Sequence, residues 1–343
     1  MTRYVFVGAG AIGSAVGGFL ADRGHDVLLV ARGEHARVMA ERGVTLRCPD
    51  TTLTVPVPVV TTPEHARLTG DDVLVLTTKT QQVEAAVATW ADVPVHGADG
   101  RVAGRAGDLL PVLTALNGVA SEEIALRYAE RVFAVGVWFP TVMVEPGEVM
   151  VRTAPDRAVF HVGRYRGTPD PDGDARVLDA LERDWTPAGL LVKRPEVVMA
   201  WKHRKLLTNL GNALQALLGD TAGAGDLADA AEAEARAVFA AAGVPVTPDE
   251  EAWPGWEPER VAIRPVPDEP AVMGGSSWQS LVRGTGSIET DYLNGEVALL
   301  ARRAGRSAPI NAGLAGLARR AARDGRAPGS TTVDELRAAL LPG

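Results

Sequence analysis

Cysteine is nearly missing from this chain: Cys48 is the only one in 343 residues. A single thiol builds neither a disulfide framework nor a cysteine metal centre, and it fits a reducing cytoplasm. Histidine is sparse too. The six (His25, His35, His65, His96, His161 and His203) are scattered, with no H-E-x-x-H or similar spacing, so no metal site is expected. No apolar run approaches the roughly 20 residues that cross a bilayer. The N-terminus opens on a strand pattern without a basic stretch and cleavage site, so no leader is expected. Positive charge is not in excess either. The net charge is −8 and the Lys and Arg residues are dispersed, which argues against a nucleic-acid groove. A hydrophobic content of 46% with 23% charged residues is that of an ordinary globular protein, and the length suits about two domains. The expectation is a cytoplasmic protein that engages neither membrane nor nucleic acid. Its oligomeric state is open, a homodimer included.

What is present begins at Arg3-Tyr4-Val5-Phe6-Val7-Gly8-Ala9-Gly10-Ala11-Ile12-Gly13. The apolar, β-branched run reads as a buried parallel strand, and Ile12, Val16 and Leu20 continue it as a helix. Gly8, Gly10 and Gly13 stand at the G-x-G-x-x-G spacing. Gly8 permits the tight turn, Gly10 lets backbone approach a pyrophosphate, and Gly13 lets helix pack on strand. The helix start, with Ala11 and Ile12, offers free N–H groups to phosphate. Val27–Val30 is a second strand, ending at Arg32. An acidic residue there would hold a ribose, whereas an arginine grips a 2′-phosphate, so Arg32 favours NADP over NAD. Glu34 lies close enough to complicate that preference.

Further strands are expected at Val73–Leu76, ending at Lys79, and at Leu109–Leu116, ending at Asn117-Gly118. Ligands gather beyond such strand ends. Helices are expected over 34–42, 81–90 and 121–130, a hairpin over 44–57, and a loop over 94–108. Strands at 131–139, 141–144, 148–152 and 158–163 read as an antiparallel extension of the sheet. Helix 174–185 and strand 190–193 close an α/β, Rossmann-type dinucleotide-binding domain, residues 1–194. From Pro195 the pattern is all helical, giving a second domain over 195–343. Its first helix, 196–218, carries a polar stripe of Lys202, Lys205, Asn209 and Asn212 along an otherwise apolar surface. Such groups demand partners or a ligand. Residues 245–272 read as a loop with a short helix, lining or covering a cleft. Gly274-Gly275-Ser276-Ser277 opens a short helix with serine as its N-cap. Glu289–Gly305 reads as one amphipathic helix, and helices over 310–323 and 332–341 end the chain.

A dinucleotide half joined to a helical half places the chemistry in a cleft between them. Lys205 is able to donate a proton to a developing alkoxide. Glu289 is able to hold its ammonium, and Ser277 to bond a substrate carboxylate or hydroxyl. A salt bridge and a plain cap are the structural alternatives for these groups. The sequence resembles the ketopantoate reductase (2-dehydropantoate 2-reductase) family over nearly its full length. The likeness is carried by Gly8–Gly13, Arg32, Lys79, Asn117-Gly118, Lys205-Leu206 with Asn209, Ser276-Ser277 and Glu289-Thr290-Asp291-Tyr292-Leu293-Asn294-Gly295. It implies NADPH as cofactor and a small 2-oxo acid as substrate, in pantothenate biosynthesis. It further implies Lys205 as general acid, with Glu289, Asn209 and Ser277 binding substrate or orienting the lysine. Lys79 and Asn117 would meet the nicotinamide end. Ala213, Gly274 and Leu281 depart from the family pattern, which has polar residues there, while Asn212 stands next to the first. A different 2-oxo acid or carbonyl compound is therefore the alternative substrate, and a non-catalytic NADP-binding redox sensor the alternative function.

Overall fold

A computed structural model describes residues 1–270, 274–284 and 286–341. It divides into two compact units. The first comprises Met1–Leu116, Ser121–Met199 and Asp249–Glu269, and the second Asn117–Ala120, Ala200–Pro248 and Pro270–Gly343.

The first unit is built on an eight-stranded sheet. Its order is Leu190–Lys193, Ala158–Arg164, Arg131–Trp138, Pro111–Thr114, Asp72–Leu76, Arg3–Val7, Asp26–Val30 and Val59–Val60. Neighbours run parallel except Arg131–Trp138 against Ala158–Arg164. The first strand therefore lies in the middle, between the strands that follow it on either side, where a doubly wound sheet reverses its order. Its apolar run is continuous because both faces are covered. Tyr4 and Phe6 join one core with Leu29, Val75 and Trp185, while Val5 and Val7 join the other with Leu28, Leu74 and Leu76.

Several local expectations need correction. The loop expected over 94–108 contains strands Pro94–His96 and Val102–Arg105 and a helical turn, Ala106–Leu109. These form a small sheet with Leu68–Thr69. The strands are too short for periodicity to register, and their turn is closed by the Gly97 N–H donating to the Arg101 carbonyl at 2.8 Å. Thr141–Glu145 and Glu148–Val151 do not extend the main sheet. They pair with Val44–Arg47 and Thr52–Val55 in a separate four-stranded sheet, whose Val44, Leu46, Val149 and Val151 share the core over Ala11–Asp22. The helix expected over 121–130 spans only Ser121–Ala125.

The stretch read as a loop over 245–272 is largely part of the first unit; its end at 271–272 lies outside the described residues. Helix Asp249–Gly255 leads into Trp256, which stacks on Trp138 at 5.4 Å and meets the His161 ring edge-on at 4.7 Å. Strand Val261–Ile263 pairs with Thr153–Pro155. Arg260 with Asp156, Arg152 with Glu269 and Lys193 with Glu257 add ion pairs. Burial strips the His161 ring of solvent and pulls its pKa down to about 3, so it is a neutral packing group at neutral pH.

The second unit is helical among the described residues. Its helices are Gly211–Leu218, Gly225–Ala242, Ser276–Val282, Asn294–Arg303, Pro309–Arg323, Val333–Leu340 and most of Val198–Asn209. They close on Leu214, Leu217, Leu227, Leu281, Leu314 and Leu336. Two expected single helices are broken. The 196–218 stretch breaks at Leu210. Glu289–Gly305 begins as a 3-10 turn, Glu289–Tyr292, and becomes α-helix only at Asn294.

Candidate functional site

The glycine turn separates its three glycines by what surrounds them. Gly8 has φ +100°, and a Cβ there would meet Thr78 Cγ2 at 2.6 Å. A Cβ on Gly13 would meet Thr77 Oγ1 at 2.5 Å and the Gly8 carbonyl oxygen at 2.7 Å. Gly10 is different: among the described residues, its chain neighbours aside, nothing stands within 4 Å of its Cβ position. Two glycines thus serve packing and the middle one leaves open space. Gly10 caps helix Ala11–Asp22 without a side-chain bond, and no acidic residue stands in the first turn. The N–H groups of Ala11, Ile12 and Gly13 precede the first helical acceptor and are fit to meet an anion. The Ser14 N–H is the first to bond back, to Gly10 at 2.9 Å. The turn itself is braced by the Thr77 hydroxyl donating to the Gly8 carbonyl at 2.7 Å and by His35 and Ser14 on the Ala9 carbonyl.

Arg32 lies exposed beyond strand Asp26–Val30, as the residue before helix Gly33–Arg42. Its carbonyl accepts from the Ala36 N–H at 3.4 Å, while its guanidinium has no hydrogen bond or ion pair among the described residues. Glu34, the neighbour able to compete for it, is engaged instead by Arg37, whose Nε donates to Glu34 Oε2 at 2.9 Å. Arg37 also reaches Glu41 at 2.7 Å. The Glu34 carboxyl is accordingly held below the usual range by Arg37. Lys79 follows strand Asp72–Leu76 and precedes the 3-10 turn Thr80–Gln82, where the Gln82 N–H donates to the Lys79 carbonyl at 2.8 Å.

In the second unit, three segments converge. Asn117, beyond strand Pro111–Thr114, accepts from Asn209 Nδ2 at 3.0 Å. Gly118 has φ +81°, and a Cβ there would come within 2.9 Å of the Tyr292 carbonyl oxygen. The Asn294 amide donates to the Leu210 carbonyl at 3.2 Å. The helix carrying Lys205 and Asn209, the Asn117-Gly118 turn and the Glu289–Asn294 turn are therefore packed against one another. Lys205 lies one helical turn before Asn209, on the same face. It keeps some reach to solvent, but the protein around it is dense, and desolvation draws its ammonium down to about 7. Glu289 is buried at 4% exposure.

A fourth segment meets the far side of the helix break. The Gly275 N–H donates to Gln215 Oε1 at 2.7 Å, and a Cβ on Gly275 would meet Asn212 Oδ1 at 3.2 Å. Asn212 thus stands beside the segment that carries Ser277. Helix Ser276–Val282 is capped by Gly275, not by a serine. The expected N-cap role fails because both hydroxyls lie within the first turn. The Ser276 and Ser277 hydroxyls and the Thr290 hydroxyl are buried without a hydrogen-bond partner among the described residues. Buried hydroxyls without partners are costly, and a polar ligand would satisfy them.

The three departures divide by location. Ala213 and Leu281 sit in the helical core with Leu214 and Ile288, so their loss of polarity suits packing. At Gly274 a Cβ would lie 2.2 Å from Trp278 Cγ, so the indole takes the room of any side chain there. Residues that the sequence did not single out are Thr77 and His35, which brace the glycine turn, and Gln215. None belongs to a motif with a spacing to find it by. No helix among the described residues is long and apolar enough to cross a membrane, and none of their His, Cys, Asp and Glu groups cluster as for a metal.

Residues 4–166 match the family model of ketopantoate reductase PanE/ApbA, and residues 197–322 match that of its C-terminal region. The 2-dehydropantoate 2-reductase of Pyrococcus horikoshii is 28% identical over 207 residues, which span 60% of this chain and 60% of that protein. Among solved structures, a PanE/ApbA family ketopantoate reductase from Ralstonia eutropha superposes with a TM-score of 0.73 at 24% identity, covering 94% of this chain and 99% of its own. D-mandelate dehydrogenase, solved with NADH and anilino(oxo)acetate, gives a TM-score of 0.73 at 20% identity over the same shares. Those two likenesses concern the fold. With both halves matched by its models, the chain belongs to the ketopantoate reductase family.

Proposed function

We propose that this protein is an NADPH-dependent reductase of a 2-oxo acid, with 2-dehydropantoate, giving pantoate, as the first candidate. The observation that carries it is the pairing of Lys205 and the buried Asn209 on one helical face with a buried, unpartnered Ser277 hydroxyl in the segment that lies against Asn212. Residues 1–194 are proposed to bind the cofactor, and 195–343 to supply the groups that act on substrate. The open space at Gly10 and the helix start at Ala11, Ile12 and Gly13 would take the pyrophosphate. Arg32, exposed and without an ion pair, would fork onto the 2′-phosphate, which separates NADPH from NADH. Lys79 and Asn117 would face the nicotinamide end. NADPH bound there supplies the hydride.

The remaining work falls to this chain's side chains. Lys205 gives its proton to the carbonyl oxygen as negative charge builds there. An ammonium with a pKa of about 7 is well matched to that task at neutral pH. Its positive charge stabilises the same oxygen before transfer. Glu289, buried in the adjoining turn, orients the ammonium. Asn209, held by Asn117, and Ser277 with Asn212 bond the substrate's polar groups and fix the carbonyl against the proton donor.

A second reading changes only the substrate. The indole of Trp278 against Gly274 removes a polar side chain from the segment carrying Ser277. That favours a 2-oxo acid with a more apolar chain. The test is a panel of 2-oxo acids, assayed with NADPH and with NADH. Turnover of 2-dehydropantoate above the others supports the first substrate, and turnover of an apolar member alone supports the second. NADPH binding without turnover of any member would leave a redox sensor instead.

A further inference from the structure

The Asn294 amide belongs to the Glu289–Gly295 motif but takes no part in the proposed contacts to cofactor or substrate. It lies fully buried between two helices. Its Nδ2 donates to the Leu210 carbonyl at 3.2 Å and to Asn311 Oδ1 at 3.0 Å. Asn311, equally buried, donates from Nδ2 to the Ala231 carbonyl and to Glu234 Oε1, both at 2.9 Å. Glu234 also accepts from the N–H groups of Ile310 and Asn311, at 3.0 and 2.8 Å. The sense of the chain is fixed at both ends. Backbone carbonyls only accept, so each amide must turn its nitrogen to Leu210 or Ala231.

Leu210 is where the helix breaks. Its N–H reaches back only three residues, to Leu207 at 3.3 Å, instead of closing an α-helical bond. Lys205 and Asn209 lie on one side of that break, with Asn212 on the other. Leu210 keeps helical angles (φ −62°, ψ −31°), so the hydrogen bonds made there, and not a sharp bend, fix how Lys205 and Asn209 stand relative to Asn212 and the nearby Ser277 segment.

We propose that Asn294 is a positioning residue: through the Leu210 carbonyl it holds the helix break that aligns Lys205 and Asn209 with Asn212. Asn311 and Glu234 lock its orientation from behind. Asn294 touches no reacting atom, and the proposal rests on Lys205 acting as described above. A misplacement of about 1 Å in such a constellation costs up to about a hundredfold in rate.

The test uses the whole protein and a 2-oxo acid that the wild type is first shown to reduce. Asn294→Ala is expected to lower kcat about 10- to 100-fold while the Kd for NADPH stays within about twofold. Leu336→Val loosens the same helical core without touching Leu210, and at equal loss of Tm it is expected to keep kcat. Should Asn294→Ala fail to fold, Asn311→Ala, which frees the back of the amide, is expected to lower kcat several-fold with the same NADPH affinity. Wild-type kcat in the folded Asn294 variant overturns the proposal, as does unchanged kcat in Asn311→Ala where that variant stands in, or an equal loss in Leu336→Val. Absence of turnover in the wild type overturns the reductase reading itself, and the positioning role with it.

Discussion

At the residue scale, Arg32 and Arg37 are both exposed arginines, one just before helix Gly33–Arg42 and one within it. Arg37 is occupied by Glu34 and Glu41, whereas the Arg32 guanidinium has no carboxylate partner among the described residues. Replacing it should therefore be read in cofactor choice and not in stability. Arg32→Asp is expected to weaken NADPH by about 10- to 100-fold, the worth of one charge-assisted contact, and to leave NADH nearly unchanged. Titration with each cofactor checks this, and equal losses would remove the 2′-phosphate from the account. Lys205 is the second case. Desolvation lowers its pKa from 10.5 to about 7. As the proposed proton donor it must be charged, so kcat/KM for reduction should be level below about pH 7 and fall about tenfold per unit above it. Oxidation of the product should run the other way. The same shift gives a stability slope: between about 7 and 10.5 the unfolded chain binds more protons, so stability from this group rises with pH across that window. A pH–rate profile that is flat from 6 to 9 would separate Lys205 from the proton transfer.

At the element scale, the turn Gly8–Gly13 offers a clean contrast. Gly10 has open space about its Cβ position and a φ of −80°, which any residue adopts. Gly13 is closed in by Thr77 and the Gly8 carbonyl. Gly10→Ala is expected to fold with little change in Tm but to bind NADPH at least about tenfold more weakly, its methyl filling the place of phosphate. Gly13→Ala is expected to cost about 1–3 kcal/mol of stability through overpacking. Melting curves and cofactor titrations on the two variants measure this, and a reversed order would refute the division of labour. The spacing of these glycines was legible in the sequence, and so were the strands that alternate or run apolar. The breaks at Leu210 and Leu293 were not legible. Neither holds a proline, and each depends on partners 84 and 17 residues distant, Asn294 to Leu210 and Asn294 to Asn311. Serine at a helix start likewise looked like a cap, but the cap fell to Gly275.

At the scale of the whole molecule, the order of the halves could be read because their periodicities differ: apolar β-branched runs first, helical stripes afterwards. What could not be read was where Asp249–Glu269 belongs. Its proline- and tryptophan-rich composition carries no period, and its place depends on Trp256 finding Trp138 and His161. The strands over 44–57, 141–144 and 148–152 are legible, but their pairing into a separate sheet is not, for a related reason. Strands of two to four residues gain their stability from register with distant partners, such as Glu148–Met150 on Thr45–Arg47. The site shows the same limit: Lys205, Asn209, Ser277 and Glu289 were named from residue type and motif, but the contacts that link Asn209 to Asn117 and Asn212 to Gly275 belong to the fold alone. The proposed reaction turns on Lys205 driving an NADPH-dependent reduction. The most direct measurement compares NADPH consumption with 2-dehydropantoate for the wild type and Lys205→Ala, after showing that both bind NADPH equally. Turnover by the wild type and a loss of about 10²- to 10⁴-fold in the variant is the expected result. Equal rates in the two proteins, or a wild type that binds NADPH and turns over nothing, would contradict it.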